Sequence, residues 1–332
     1  MNTAQARVLQ VLRSRSGASC SGADLSRELG VSRAQVWKHV EALRQLGYRI
    51  SGAPGEGYRF QGAPDRLYPV ELERRLRTRW LAREIHYFEQ IDSTNRVAEE
   101  LGQAGARHGT TVVAEAQSAG RGRLGRSFFS PPRQNLYTSI LLRPALALAD
   151  APSLVLAAAV AVAEAVIGTL GEREAVEIKW PNDVLIRGRK TSGILMELAA
   201  EADRVGFLVL GIGVNLNVPR EALPPEFRER ATSVASERGR PVDRVGFATA
   251  LYGTLEQMLD LHATQGFEAL RPHFEALFRM AGRPIRVADL TGRETRGIAE
   301  GVDPDGALRL RCGSGVRRIL AGYVTLDPEK AP

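Results

Sequence analysis

Cysteine is nearly missing from this 332-residue sequence. Cys20 and Cys312 form no CxxC pair and cannot staple a small secreted scaffold, which excludes that class and fits a reducing cytoplasm. Lysine is just as sparse: Lys38, Lys179, Lys190 and Lys330 stand in a chain with 45 Lys+Arg residues. The two cations are not interchangeable, so a retained lysine marks a place where a compact ammonium is wanted. Asparagine is limited to Asn2, Asn95, Asn135, Asn182, Asn215 and Asn217. Five of these asparagines and two of the lysines fall between residues 95 and 217, which points to a polar site there. No run is apolar enough for a membrane span, which needs about 20 strongly apolar residues. The nearest, Leu154 to Leu170, is rich in alanine, broken by Glu164, and reads as a buried helix. The opening MNTAQARVLQ has no apolar h-region, so no secretory signal and no membrane partner are expected. There is no HExxH, and His39, His86, His108, His262 and His273 are scattered, so no residue is assigned to metal.

What is present describes a soluble globular protein of two or three domains, 44% hydrophobic and 25% charged. The net charge of +7 is uneven: residues 1–66 hold ten Arg/Lys against five Asp/Glu, so +5 lies in a fifth of the chain. That asymmetry fits an N-terminal nucleic-acid module, although a solvated basic face has the same composition.

The first 60 residues support the module. Residues 5–16 form an amphipathic pattern, Ser21 to Asp24 starts a second helix that Gly30 stops, and Ser32-Arg-Ala-Gln35 is a capping box opening a third through about Leu46. Val36, Val40, Leu43 and Leu46 make its apolar face; Arg33, Gln35, Lys38 and Arg44 lie opposite. Strands at 48–51 and 57–60 flank the turn Ala-Pro-Gly-Glu. Three helices and a hairpin of this size predict a winged helix-turn-helix, with 32–46 as recognition helix and 52–57 as wing tip. A plain three-helix bundle is the competing description. Residues 61–68 read as a linker, and 84–219 as alternating strands (84–91, 110–116, 136–142, 176–179, 184–186, 192–198, 206–214) and helices (94–104, 152–170). A helical stretch at 241–279 and short β-rich runs from Arg283 to Leu326 follow, the latter reading as a small antiparallel barrel. The expected domains are therefore 1–66, 67–280 and 281–332.

Gly120-Arg-Gly-Arg-Leu-Gly125 satisfies GxGxxG, but Arg-Ser-Phe-Phe-Ser-Pro-Pro follows, and no helix crosses two prolines to aim its N-terminus at phosphate. Walker A and kinase signatures are missing as well. What remains is a glycine-rich loop carrying Arg121, Arg123 and Arg126, flexible when empty and attractive to a polyanion. Asp92-Ser-Thr-Asn95 between a strand and a helix is explained on its own by capping. Lys179-Trp-Pro-Asn-Asp183 has no obvious packing purpose, and Gly211-Ile-Gly-Val-Asn-Leu-Asn217 puts small residues where a ligand can approach backbone.

In this order, DSTN, the QxAGRGRxGR run from Gln117 to Arg126, KWPND, the GRKxxGIL run from Gly188 to Leu195 and the GxN run from Gly213 to Asn215 resemble the biotin protein ligase family. The resemblance spans residues 5–327 and is closest to members that join ligase and repressor. It implies a multidomain α+β protein: a winged helix-turn-helix, a mixed α/β ligase domain similar to class II aminoacyl-tRNA synthetases, and a C-terminal SH3-like barrel. It implies ATP-dependent joining of biotin to a lysine of a biotin carboxyl carrier protein through biotinyl-5'-adenylate, with Mg²⁺, and adenylate-dependent repression through operator DNA by a homodimer. By the family pattern, Ser93, Thr94, Asn95 and Gln117 hold the ureido head of biotin, and Arg121, Gly122 and Arg123 cover the adenylate. Lys179 bridges biotin carboxylate and α-phosphate, so Lys179, Arg121 and Arg123 are the catalytic residues. Arg126, Phe128, Lys190 and Asn215 serve the nucleotide, and Ser32, Arg33, Gln35 and Lys38 face DNA. Phe128 stands where repressor-type members have tryptophan. Asp327 stands where a basic nucleotide contact is expected, so no barrel residue is assigned to the site.

Three other functions compete with a ligase-repressor. A ligase with a non-repressing helix domain differs only in DNA binding. A pure regulator would not need to keep Lys179, Arg121 and Arg123. A lipoate ligase shares the reaction logic and is disfavoured by the GRGR and KWPND runs.

Overall fold

A computed structural model describes residues 1–15, 18–52, 56–201, 204–289, 292–313 and 315–326. The chain divides into two compact units, Met1–Arg66 and Leu67–Pro332. The expected wing tip falls largely on residues 53–55, and Asp327 on the C-terminal stretch, both outside the described residues.

In the first unit, helices α1 (Thr3–Ser14), α2 (Gly22–Leu29) and α3 (Arg33–Gln45) precede the antiparallel pair β1 (Arg49–Ser51) and β2 (Arg59–Gly62). Reciprocal capping boxes start α1 (Asn2 with Gln5) and α3 (Ser32 with Gln35). Gly30 ends α2 at φ 67°, a left-handed turn that suits glycine. Val8, Leu9, Leu12, Leu25, Val36, Val40 and Leu43 close the core. Arg44 corrects the sequence expectation. Instead of facing outward, its Nε donates to the Ile50 carbonyl at 2.8 Å and its guanidinium pairs with Glu41, tying α3 to β1.

The second unit begins with α4 (Pro69–Arg75), a helix the sequence did not disclose, followed by β3 (Ile85–Phe88), α5 (Thr94–Gln103), β4 (Thr111–Ala114) and β5 (Leu136–Leu142). Next come α6 (Ser153–Leu170), β6 (Val176–Lys179), β7 (Asp183–Ile186), β8 (Arg189–Glu201) and β9 (Arg204–Val214). The seven strands form one mixed sheet, ordered β3-β4-β5-β9-β8-β7-β6, in which only β3 and β4 pair in parallel. Strands β8 and β9 extend beyond their expected limits as a long hairpin. After α7 (Val234–Arg238) comes α8 (Arg244–Glu275), broken by Gly266 at φ 72°.

Helix α6 is apolar all round because it is enclosed, with α8 on one side and β6 to β8 on the other. Its alanines, among them Ala157, Ala158, Ala161 and Ala163, let these neighbours come close. Contrary to the sequence reading, the stretch 148–170 is by length and composition apolar enough to cross a membrane (mean hydropathy 2.1), yet 78% of its most apolar 18-residue window is buried in the fold, the core helix that reading expected.

The C-terminal strands β10 (Pro284–Ala288), β11 (Glu294–Val302), β12 (Leu308–Cys312), β13 (Gly315–Ile319) and β14 (Tyr323–Leu326) form an all-antiparallel sheet in the order β13-β12-β11-β10-β14. Its inner residues Ile285, Val287, Ala299, Leu308, Leu310 and Val324 belong to the same apolar core as α6 and α8. Trp180 Nε1 donates to the Gly306 carbonyl at 2.9 Å across that junction.

Two histidines, His262 buried and His108 exposed, give this unit an acid-sensitive stability. His262 Nε2 lies 2.6 Å from Ser153 Oγ, and His108 Nδ1 accepts the Arg143 N–H at 3.0 Å. Burial of His262 and partial desolvation of the His108 ring push both imidazoles below their ordinary 6.5, against a weaker opposing pull from Asp150 on His262 and from Asp260 on His108. The unfolded chain therefore takes up protons first as pH falls. Their contribution is complete above 6.5 and is lost as pH drops from there through the lower folded values. Urea midpoints should fall between about pH 7.5 and pH 5.5, and His262→Gln should flatten that slope. An unchanged slope in the variant would remove His262 from the account.

Candidate active site

One pocket gathers the start of α5, the segment after β4, and the middle of the β8–β9 hairpin. Its lining includes Ser93, Thr94, Asn95, Gln117, Arg121, Gly122, Arg123, Phe128, Asn182 and Lys190, over a floor of Gly193, Gly211 and Gly213. Ser93 occupies the N-cap position of α5 but makes no side-chain cap bond, so capping alone does not explain it. Asp92 is the structural member of DSTN. It accepts the Ser93 N–H at 2.7 Å and pairs with Arg96, whose hydrogen bond holds the carboxyl below its usual range against burial.

The remaining polar groups are already interlocked. Thr94 donates its N–H (2.9 Å) and hydroxyl (3.1 Å) to Gln117 Oε1, and Gln117 Nε2 donates to Ser130 Oγ at 3.0 Å. Ser139 Oγ on β5 lies 2.8 Å from Thr94 Oγ1 and 2.6 Å from Asn95 Oδ1. Asn95 Nδ2 donates to Glu197 Oε2 at 2.8 Å, and the other oxygen of Glu197 pairs with Arg121 at 3.1 Å. Such a network fixes the direction of the Thr94, Asn95 and Gln117 groups beside the pocket.

The floor must be glycine. A Cβ on Gly211 would stand 1.9 Å from Asn95 Oδ1, and one on Gly213 would stand 2.6 Å from the Phe128 ring. The close approach foreseen for this strand is therefore made by the protein's own Asn95 and Phe128. Phe128 lies against the glycine surface with its edge to Tyr137, ring centroids 6.4 Å apart.

The arginine run is folded back on itself. Gly122 N–H reaches the Arg126 carbonyl at 2.7 Å and Phe128 N–H the Gly120 carbonyl at 2.8 Å, with Leu124 exposed at the tip at φ 59°. Arg123 donates to Asn182 Oδ1 at 3.0 Å; burial lowers its pKa, with Asp183 opposing. Lys190 Nζ sits 2.6 Å from Asp183 Oδ1.

Three expected contacts lie elsewhere. Asn215 is buried behind the site, its amide donating to the Thr232 carbonyl (3.1 Å) and its oxygen accepting from Asn135 (3.4 Å), so it braces the scaffold rather than the pocket. Lys179 and Arg126 are outside the lining and lie against one ring, Tyr323 of β14, at 4.8 and 4.3 Å from its centroid. Sequence reasoning missed Ser139, Glu197 and Tyr323. Ser139 carried one signal, a hydroxyl inside the apolar strand LYTSILL.

In the N-terminal unit, Ser32, Arg33, Gln35 and Lys38 are all exposed on the first turns of α3. Ser32 and Gln35 are also bonded to each other's backbone in the capping box, which leaves Arg33 and Lys38 as the open cations. Trp37, 55% exposed, stands beside them.

With this geometry in place, comparison with known proteins is decisive. The Bacillus spizizenii "Bifunctional ligase/repressor BirA" is 36% identical over 306 residues, covering 92% of this chain and 93% of that one. The chain belongs to the biotin protein ligase family. Residues 87–215 match the Biotin/lipoate A/B protein ligase family, 5–59 an HTH domain, and 281–326 the Biotin protein ligase C terminal domain. The "Bifunctional ligase/repressor BirA" of Escherichia coli is 31% identical over 92% of both chains. Among solved structures, the Aquifex aeolicus biotin protein ligase in complex with biotin and ATP is 26% identical with a TM-score of 0.64, covering 74% of this chain and all of that one. The family assignment agrees with the ordered motifs and places the pocket in the family's ligase domain.

Proposed function

We propose that this chain joins biotin to a lysine of a carrier protein of acetyl-CoA carboxylase in two steps, and represses biotin-synthesis genes. In the first, a carboxylate oxygen of biotin attacks the α-phosphate of ATP, and pyrophosphate leaves. In the second, the acceptor's lysine amine attacks the carbonyl of the mixed anhydride, and AMP leaves. The interlocked Thr94–Asn95–Gln117 cluster under the arginine loop, with the Ser93 hydroxyl beside it, carries this reading. A neutral ureido ring needs donors and acceptors fixed in direction, and the cluster supplies them.

Arg121 and Arg123 close over the adenylate and exclude water. Lys190 meets the nucleotide phosphates, and Phe128 covers the adenine from the glycine floor. Lys179, resting on the Tyr323 ring beside the pocket, meets the α-phosphate, where charge builds. Among the described residues no three His, Cys, Asp or Glu side chains form a metal site. Mg²⁺ bound to the triphosphate would supply neutralisation of its charge.

Repression follows from dimerisation. One winged helix makes few phosphate contacts, while two copies on a pseudo-palindrome add theirs. The adenylate favours the dimer by ordering the 120–126 loop, since a ligand shifts an equilibrium only through differential binding. Incubation with ATP, Mg²⁺, biotin and an acceptor domain should add one biotin to the acceptor, read by mass. An unmodified acceptor overturns the ligase reading. Gel shifts on DNA upstream of biotin-synthesis genes should appear with adenylate and not with biotin alone. Equal binding in both, or none in either, overturns the repressor half.

A further inference from the structure

The turn entering β14 is where the cations of two separate motifs meet. Lys179 comes from the end of β6 and Arg126 from the end of the glycine-rich loop, yet both rest on the Tyr323 ring, at 4.8 and 4.3 Å. One residue away, the Gly322 carbonyl lies 3.5 Å from Arg123 Nη1, the guanidinium that also holds Asn182 of KWPND. Two like charges sharing one ring would otherwise repel and swing into water. The negative face of an aromatic ring is what allows them to sit together. Both contacts are made by the ring and neither needs the hydroxyl.

We propose that Tyr323 is a positioning residue for the nucleotide, its ring holding Lys179 and Arg126 set beside the pocket so that the triphosphate meets two cations already ordered. Long cationic side chains lose much rotamer freedom when a ligand orders them, and ordering them beforehand lowers that cost at binding. The ring gives the C-terminal sheet a direct part in nucleotide binding, in a region where the sequence offered no basic candidate. The inference rests on the ligase reading and adds to it a residue, a partner pair and a substrate.

The test compares wild type, Tyr323→Phe, Tyr323→Leu and Tyr323→Ala in ATP- and biotin-dependent pyrophosphate release, with ATP affinity measured separately by calorimetry. Loss of the ring in the Leu and Ala variants should raise KM and Kd for ATP roughly tenfold, within the range of a partly desolvated cation–ring contact. KM for biotin should be unchanged, and Phe should keep wild-type values. Unchanged ATP constants in both Leu and Ala variants overturn the proposal, as does a Phe variant as impaired as Ala. So does an equal rise in both KM values, which would mark a structural role. If Ala does not fold, the Leu and Phe pair decides alone. Failure of the ligase reading looks different: wild type itself would release no pyrophosphate.

Discussion

Replacing Lys179 by alanine should slow biotinyl-adenylate formation by about 10²–10³-fold, equivalent to roughly 3–4 kcal/mol of transition-state stabilisation. The residue ends β6, paired with Asp183 across the β6–β7 ladder, and its ammonium lies on the Tyr323 ring, in no ion pair with a carboxylate among the described residues. It is therefore set to meet charge as it develops at phosphorus. An exposed cation–ring contact is worth only about 0.5–1 kcal/mol, so the melting temperature should hardly move. Pyrophosphate release at the wild-type rate in a folded variant would take the catalytic role away from this lysine.

Removing Arg244 should instead leave the chemistry and cost the fold. Arg244 and Glu115 form an ion pair at 2.9 Å with both side chains fully buried. Arg244 also donates to the Asn135 carbonyl at 3.1 Å, and Glu115 accepts the Leu67 N–H at 2.9 Å. The pair thus binds the start of α8 to the end of β4 and to the point where the chain enters this unit. Truncating one partner strands a buried charge, and Arg244→Ala should cost about 3–5 kcal/mol in urea unfolding. The double variant Arg244→Met with Glu115→Leu should lose much less, because neither charge is left behind. If the double variant is as unstable as the single, the stabilisation comes from geometry rather than charge balance.

Local signals were legible wherever a residue type acts through its own backbone. The Ser21 start, the capping box at Ser32 and the left-handed stop at Gly30 delimit α2 and the start of α3 as their sequences predict, while the Asn2 box that starts α1 two residues earlier than expected went unread. Most of the pocket was also legible, because glycine, asparagine and lysine are conspicuous in an arginine-rich chain. The unread part depends on distant partners. Glu197 looks like an ordinary polar position on β8 until Asn95 and Arg121, 102 and 76 residues away in sequence respectively, arrive beside it. Arg44 and Asn215 were misplaced because their partners, Ile50 six residues on and Thr232 seventeen residues on, lie on other elements of the fold. Tyr323 carries no local mark, since its role comes from two side chains supplied by other strands and loops.

The division of the chain at Arg66 and Leu67 has a bearing on modularity. Among the described residues, the large apolar core contains nothing before Leu67, while it runs on through Ile285 to Val324. A gene fusion or deletion at the first boundary therefore trades a whole DNA-reading module without opening a core. A break near residue 280 would leave Ile285, Leu308 and Leu310 on one fragment and their α6 and α8 neighbours on the other, both facing water. Recombination can swap the front of this protein as a cassette, whereas the catalytic body and its C-terminal sheet must be inherited together.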